Sequence, residues 1–342
     1  MTETLAQLSN NAMYSATVVY ALAMLSHMAE WAMARTLPAV VTTSRSRAAL
    51  VSAGRTTAPP ENGRNAGVNE PNRRTVVGSV AAAPAEVERS DRFGRIGLSL
   101  TVLALLLHAV GVVTRGIAAE RVPWGSMYEF SITSTLAVSS AYLFLVRRYK
   151  IRWLGLLVTG FLVMVLGLAV IVLYRPVGPL VPALHSYWLA IHVSAAAIAG
   201  GALTVGALAS VLYLVRSAME TRALATPDKP RTGFLWRTPT AADIDRLSYR
   251  VHAFAFPLWT FAVLAGAIWA EYAWGRYWGW DPKEVWAFIT WVVYAAYLHA
   301  RATAGWQGRA AAYVALFGYA TFIFNFVGIN LFGSGLHAYS GM

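Results

Sequence analysis

The chain has 342 residues, of which 57% are apolar and 13% are charged, and the charged share is about half that of an ordinary soluble domain. This composition excludes a water-soluble globular protein. Basic residues outnumber acidic ones by 28 to 16, an excess that first has to be compared with the positions of the loops before nucleic acid is considered. Cysteine is absent, which excludes disulfides, thiolate metal sites and a cysteine nucleophile, so histidine is the remaining soft ligand.

Eight apolar segments predict an all-α protein, a polytopic membrane bundle of about eight transmembrane helices. The first segment follows a start without the basic, cleavable pattern of a signal peptide, so we expect it to remain as a helix. Gly200 and Gly201 lie inside the fifth segment, where small residues indicate close contact between helices. The seventh segment is short and needs Pro282 as a first-turn residue. In chain order the segments are 14–33, 96–113, 130–146, 153–174, 188–215, 251–269, 285–299 and 310–332.

Basic residues concentrate in three connecting segments, 35–94, 147–152 and 216–250. The first of these lacks apolar runs and is rich in Ala, Pro, Ser, Thr, Asn, Gly and Arg, which predicts a disordered linker. The positive-inside rule places these segments in the cytoplasm and puts both termini and the loop at 270–284 outside. The excess of basic residues is thus explained by a lipid membrane, and no nucleic-acid partner is predicted. The predicted divisions are a first transmembrane helix at 1–34, a cytoplasmic linker at 35–94 and a seven-helix core at 95–342.

Six tryptophans fall within 23 residues at one external helix boundary. Tryptophans at such a boundary usually anchor helix ends among lipid headgroups. A headgroup anchor explains one or two of them, but not three in a short loop that contains Gly275 and Gly279 and is followed at once by Asp281. Flat indoles beside charged groups also suit a large planar ligand with polar edges. On the residues alone, both interpretations stay open. The six are Trp269, Trp274, Trp278, Trp280, Trp286 and Trp291.

The order Trp274-Gly275-x-x-Trp278-x-Trp280-Asp281 resembles the WWD signature of the haem-handling proteins of cytochrome c maturation. The resemblance runs from about residue 95 to the C-terminus and includes residues 186–193 and 335–341, with a weaker element at 123–129. Within this WWD-domain family, the length, the number of spans and the order of histidines resemble the CcsA-like (ResC-like) subunits of the system II cytochrome c synthase. The CcmC-like and CcmF-like branches fit less well by size and span count.

The resemblance implies a route for haem b, which is the substrate and bound ligand. Haem would reach an external site under the WWD loop and be joined there, through its vinyl groups, to the two cysteines of an apocytochrome c Cys-x-x-Cys-His segment. It also implies a plasma-membrane location, a CcsB/ResB-like partner subunit, external thiol-reducing proteins, and holocytochrome c synthase (haem-lyase) activity as part of a complex. The alternatives are a haem exporter or delivery module that serves a separate lyase, and a structural or quinone-binding membrane subunit.

The family pattern also implies the histidine ligands, because neutral imidazole is a good ligand for haem iron. His192 and His337 correspond to the two axial ligands of an external haem. His299 corresponds to a ligand of an inner haem, whose second ligand the partner subunit would provide. A continuous helix places His299 about 25 Å from Pro282, at 1.5 Å per residue. The remaining histidines match no family position and are predicted to make helix contacts or interface contacts: His27, His108, His185 and His252.

The loop residues implied to take part in catalysis are Trp274, Trp278, Trp280 and Asp281. Asp281 stands before Pro282 and would equally make an ordinary helix N-cap, so a structural role is open as well. Cations on the external side could bind the haem propionates. We select Arg276 from the available set, which is Arg121, Arg175, Arg276 and Lys283.

Overall fold

The computed structural model describes residues 2–38, 84–178, 184, 186–303, 305–333 and 335–337. Within these ranges the regular structure is helical, apart from an isolated antiparallel bridge between Pro38 and Thr232. The greater part of the predicted linker, residues 39–83, lies outside the described residues, and so does His185.

Each predicted apolar segment corresponds to one long helical stretch, which confirms the polytopic helical bundle. Two stretches contain a π-helical turn, and one begins as a 3₁₀ turn. The bounds are α1 Thr2–Met33, α2 Pro84–Ala118, α3 Met127–Tyr149, a 3₁₀ turn Arg152–Leu154 continuing into α4 Gly155–Leu168 and a π turn Ala169–Leu173, α5 Tyr187–Ala225, the short α6 Phe234–Arg237, α7 Ala241–Trp274, α8 Pro282–Thr303, and α9 Arg309–Ile323 with a π turn Phe324–Gly328 and α10 Ile329–Phe332.

Seven of these stretches in the described part of the chain are long and apolar enough to cross a membrane. The eighth predicted span is α8, which has 22 residues but carries charged groups in both terminal turns. About 20 residues are enough to span the hydrocarbon core. The length of α8 therefore suits the predicted span, while its charged ends lower its overall apolarity.

Two predicted boundaries differ from the structure. Helix α2 begins at Pro84, so residues 84–94, which we assigned to the linker, are helical. These first turns of α2 are polar, so a search for apolar segments could not detect them. The tryptophan loop comprises 275–281 rather than 270–284, because α7 continues to Trp274. The helix ends at Gly275, which adopts a left-handed φ of 70°. The N–H of Gly275 donates to the carbonyl of Glu271 at 2.9 Å.

The buried carboxylate of α1, Glu30, is paired with His27 of the same helix and with Arg152 at the start of α4. The carboxylate of Glu30 accepts the Nδ1–H of His27 at 3.1 Å and faces the Nε of Arg152 at 3.2 Å. Arg152 also binds Asp91 of α2 at 2.6 Å. A buried charge is tolerated when it is paired and hydrogen-bonded. These bonds explain how α1 holds a carboxylate within an apolar segment.

Close packing of α5 against its neighbours forms the centre of the bundle, where α5 runs along α7 and also contacts α3 and α9. A Cβ at Gly201 would lie 2.9 Å from the backbone carbon of Ala137 in α3. Only glycine allows the two backbones to approach this closely. The predicted small-residue contact is therefore confirmed.

The bundle has two chemically different ends. The tryptophan loop, residues 275–281, joins α7 and α8 at one end, which we call the tryptophan-loop end. At the opposite end of the same two helices, Arg301 of α8 binds Asp245 of α7 at 2.8 Å. We call this the Arg301 end.

Candidate functional site

A cavity at the tryptophan-loop end has about 1180 Å³ of empty space, part of which is open to solvent. Its walls come from α3, α5, α7, α8 and the α9–α10 stretch and are mainly apolar and aromatic. His192 from α5 and His337, which follows α10, line this same cavity. Binding sites for small molecules and cofactors have this character, with apolar walls and a few convergent polar groups.

His192 is held by the neighbouring helix α7. Its Nδ1–H donates to the backbone carbonyl of Ala262 at 2.7 Å, which leaves the lone pair on Nε2. A Cβ at Gly266 would come within 2.7 Å of the imidazole, so the glycine makes room for the ring. The ring of Trp269 lies nearly parallel to it, at 6.1 Å and 11°. These contacts fix the orientation of the imidazole.

His337 is held by Asp281 across a long sequence separation. Its Nδ1–H donates to Oδ1 of Asp281 at 2.8 Å, and the N–H of Leu336 donates to Oδ2 at 2.8 Å. The ring meets Trp274 edge to face at 4.7 Å and Trp269 at 5.7 Å. Coordination of a metal by His337 would go through Nε2, because Nδ1 is bonded to the carboxylate.

Burial and hydrogen bonding favour a neutral imidazole on His337 beside an ionised carboxylate on Asp281. Burial lowers the pKa of His337 to about 4, and the charge of Lys283 acts in the same direction, while the hydrogen bond to Asp281 raises it. Burial alone would raise the pKa of Asp281, but hydrogen bonds from His337, Leu336 and Lys283 keep it below its usual value. At neutral pH His337 therefore has the protonation state that a metal requires.

The tryptophan loop is fixed by two carboxylates at the N-terminus of α8. Asp281 caps the helix by accepting the N–H of Lys283 at 3.1 Å. Glu284 accepts the N–H groups of Gly279 at 2.8 Å and of Asp281 at 3.0 Å. Trp280 lies between these two bonds, with a φ of 58° that is rare for a residue other than glycine. Asp281 thus combines the cap that we predicted with a direct bond to His337.

The three tryptophans of the motif, Trp274 at the end of α7 and Trp278 and Trp280 in the loop, occupy different positions. Trp274 contacts His337, and Trp278 lines the cavity. Trp280 is 68% exposed and meets Trp278 at 5.9 Å and Phe288 at 6.4 Å. Among the described residues, Trp280 is not part of the cavity lining.

Two other predicted site residues lie away from the cavity. The guanidinium of Arg276 lies where a Cβ at Gly279 would be, and it does not belong to the described lining. His299 is exposed on α8, one turn before Thr303 at the Arg301 end. Within the described ranges its side chain has no hydrogen bond or ring contact. The two regions of predicted haem chemistry are therefore at opposite ends of α8.

Three further histidines make the helix contacts that we predicted. Each is buried and uses one ring nitrogen as a donor within the bundle. His27 bonds Glu30 at 3.1 Å, His108 bonds the carbonyl of Ile132 at 2.8 Å, and His252 bonds the carbonyl of Ser248 at 2.8 Å. In the described part of the chain, no group of three or more His, Asp or Glu side chains could hold a metal ion.

Sequence reasoning missed one face of α7 that forms much of the cavity wall. This face carries Trp259, Ala262, Gly266 and Trp269, which recur at helical spacing. Trp269 is the most informative of them because it contacts both His192 and His337. The recurrence of a tryptophan or a small residue every three or four positions is the signal that could have identified the face.

Comparison with known proteins gives consistent results at the levels of sequence and fold. A family model described as "Cytochrome C assembly protein" matches residues 98–337, a range that contains all three predicted iron-ligating histidines and the tryptophan loop. The Cytochrome c biogenesis protein CcsA of Guillardia theta is 35% identical over 256 residues, which is 71% of this chain and 85% of that protein. The protein of the same name from Synechococcus elongatus is 36% identical over 282 residues, covering 71% and 87%.

A solved structure has a similar fold. It is named "Cytochrome c Heme Lyase CcmF", with a TM-score of 0.56 and 16% identity over 96% of this chain. This chain spans 50% of that longer protein, and at such low identity the similarity shows the fold alone. The family match and the relatives show that the chain belongs to the cytochrome c assembly protein family, as a CcsA-like multi-pass membrane protein of cytochrome c maturation.

Proposed function

We propose that this chain carries haem b across the membrane and, together with a partner subunit, attaches it to the Cys-x-x-Cys-His segment of apocytochrome c. The observation that carries the proposal is the placement of His192 and His337 in one aromatic cavity, with Trp269 against both rings. A flat macrocycle with a central iron needs flat apolar walls and axial nitrogen ligands. This cavity offers both.

The chemistry that follows is chiefly a matter of position. Haem is the substrate, and Nε2 of His192 and of His337 would bind its iron while Trp278 in the cavity wall covers the macrocycle and Trp274 packs against His337. Each thiol of the apocytochrome adds its sulfur and hydrogen across one vinyl group, so the step needs no nucleophile from this chain. Holding the haem and two thiols in reaction geometry can supply a large part of the rate. A chain without cysteine offers no competing thiol.

The Arg301 end would contribute to a second, inner haem site. His299 is exposed there, where another subunit can approach it. A CcsB/ResB-like partner would provide the opposite axial ligand, because His252 is fully buried between helices and packs against Tyr294 at 5.4 Å. External thiol-reducing proteins would keep the apocytochrome cysteines reduced.

The orientation follows from the distribution of charge. The protein would lie in the plasma membrane with the tryptophan-loop end and both termini external. The linker within 35–94 would be cytoplasmic. Protease added to intact cells should then leave residues 39–83 uncut. Cleavage there from outside would reverse the orientation and with it the external position of the cavity.

The direct test is to co-express the chain with its partner subunit and an apocytochrome c. Purification should give a complex with a visible haem spectrum, and haem staining of a denaturing gel should show covalently attached haem on the cytochrome. A haem-loaded complex that yields no covalent product would favour the alternative of a delivery module for a separate lyase. A complex without haem would contradict the proposal.

A further inference from the structure

Lys283 is the one lysine or arginine among the described residues that line the cavity. It lies in the first turn of α8 and is partly buried. Arg276, the cation that we selected from the sequence, lies outside the described lining. The cavity that holds His192 and His337 therefore has a single fixed cationic side chain on its wall.

The contacts of Lys283 leave its charge without an ion pair. Its Nζ donates to the amide oxygen of Asn330 at 2.8 Å. The amide nitrogen of Asn330 in turn donates to the carbonyl of Phe326 at 2.6 Å, which points the oxygen towards Lys283. An ammonium group has three donors, and a neutral amide satisfies one of them without balancing the charge. In the described part of the chain, no carboxylate lies within 4.0 Å of this Nζ.

The two nearby carboxylates bind groups other than the ammonium of Lys283. Asp281 uses both oxygens on His337, on the N–H of Leu336 and on the backbone N–H of Lys283, and attracts the ammonium only at longer range. Glu284, which also lines the cavity, accepts two backbone N–H groups of the tryptophan loop through Oε2, and its Oε1 has no hydrogen-bond partner among the described residues. Both carboxylates thus complement the positive N-terminal end of α8. Within the described ranges, Lys283 therefore lacks a carboxylate partner even though Glu284 shares the cavity wall, and a bound anion would both satisfy its remaining donors and compensate its charge.

We propose that Lys283 binds a carboxylate of the porphyrin substrate and thereby fixes which edge of the macrocycle lies against α8. The inference rests on the proposed function of this cavity. The anionic groups of haem are its two propionates, which share one edge, while the vinyl groups lie towards the opposite edge. Binding of a propionate at Lys283 turns the vinyl groups away from α8. Lys283 would then set the orientation in which the reactive carbons meet the thiols.

The test compares two probes on the full chain, purified in detergent with its partner subunit. The probes are iron(III) protoporphyrin IX and its dimethyl ester, which has the same ring but no carboxylates. The unaltered protein should bind the diacid at least about tenfold more tightly, the usual strength of a hydrogen bond between charged groups. Lys283→Gln keeps a donor for Asn330 but removes the charge, so this preference should fall to nearly equal affinities, while Lys283→Arg should retain most of it.

Controls separate this inference from its alternatives. Lys229→Met, which changes an exposed lysine in another loop, should bind both probes as the unaltered protein does. Equal weakening of both probes by Lys283→Gln would show a purely structural role and overturn the inference. If Arg276→Gln lost the preference instead, the propionate would bind Arg276 and the inference about Lys283 would be wrong. Failure of the proposed function looks different, because neither probe would then respond to His192→Ala or His337→Ala.

Discussion

The two ends of the bundle treat histidine in different ways. At the tryptophan-loop end, His192 and His337 line one cavity, and each is oriented by a hydrogen bond and an aromatic neighbour. At the Arg301 end, His299 is exposed on the outside of α8, whereas His252 is buried within the bundle with its Nδ1 bonded to Ser248. The comparison teaches that this chain by itself brings two histidines into one cavity, while at the other end it presents, among the described residues, a single exposed histidine.

The largest effect is expected from removing an axial ligand at the tryptophan-loop end. His192→Ala or His337→Ala should weaken haem binding by more than the roughly 10- to 100-fold that changes around a ligand usually cost. Added imidazole should restore part of the binding by filling the vacant position. Visible spectra of the purified variants measure both effects, and an unchanged spectrum in both would refute the assignment.

Removal of the surface ligand should act only at the Arg301 end. His299→Ala should abolish the haem that depends on the partner subunit and leave the haem between His192 and His337 in place. His27→Ala and His252→Ala are matched controls, since both replace buried histidines of the bundle, and they should retain most of the haem. Haem content and visible spectra, measured with and without the partner subunit, show which histidine holds the haem at the Arg301 end. Dependence on His27 or His252 would mean that this chain builds both sites alone.

The Asp281–His337 pair should show an intermediate effect. Asp281→Ser keeps a good N-cap for α8 but is too short to hold the imidazole, so haem affinity should fall by about 10- to 100-fold with little loss of stability. Asp281→Ala should lose the cap as well, which costs about 1 kcal/mol. Haem titration and thermal unfolding separate the two roles. Normal affinity in the serine variant would show that the carboxylate serves only as a cap.

The smallest effects should come from two glycines that each lie against a histidine ring. A Cβ at Gly266 would be 2.7 Å from His192, and one at Gly206 would be 2.7 Å from His252. Alanine at either position should cost about 1–3 kcal/mol of stability, because the core is overpacked. Only Gly266→Ala should also change the haem spectrum, by displacing a ligand. The same spectral change in Gly206→Ala would break the distinction between the two ends.

The sequence was sufficient for the helical bundle and for the motif residues, but not for the direction of individual side chains. Long apolar segments are a local signal, so the helices were predicted well. The polar first turns of α2 carry no such signal and are held by tertiary pairs such as Asp91 with Arg152. In the sequence, Arg276 and Lys283 are both cations close to the tryptophans of the motif, and the pattern does not tell which of them faces the cavity. Their positions differ because α8 starts at Pro282 and its first turn brings Lys283 to the cavity wall.

The dependence of the cavity on His337 has a consequence for how the protein is made. The cavity takes its lining from Trp124 onwards, and the ribosome delivers these parts in chain order. When α5 and α7 have already entered the membrane, a nascent chain presents His192 but neither His337 nor the α8 wall. Haem that met such a chain would find one imidazole instead of two and would be held weakly. Leu336 and His337 follow α8 and α10 in the chain, so their bonds to Asp281 form only after those helices have been made, and under the proposed function haem capture would wait for them.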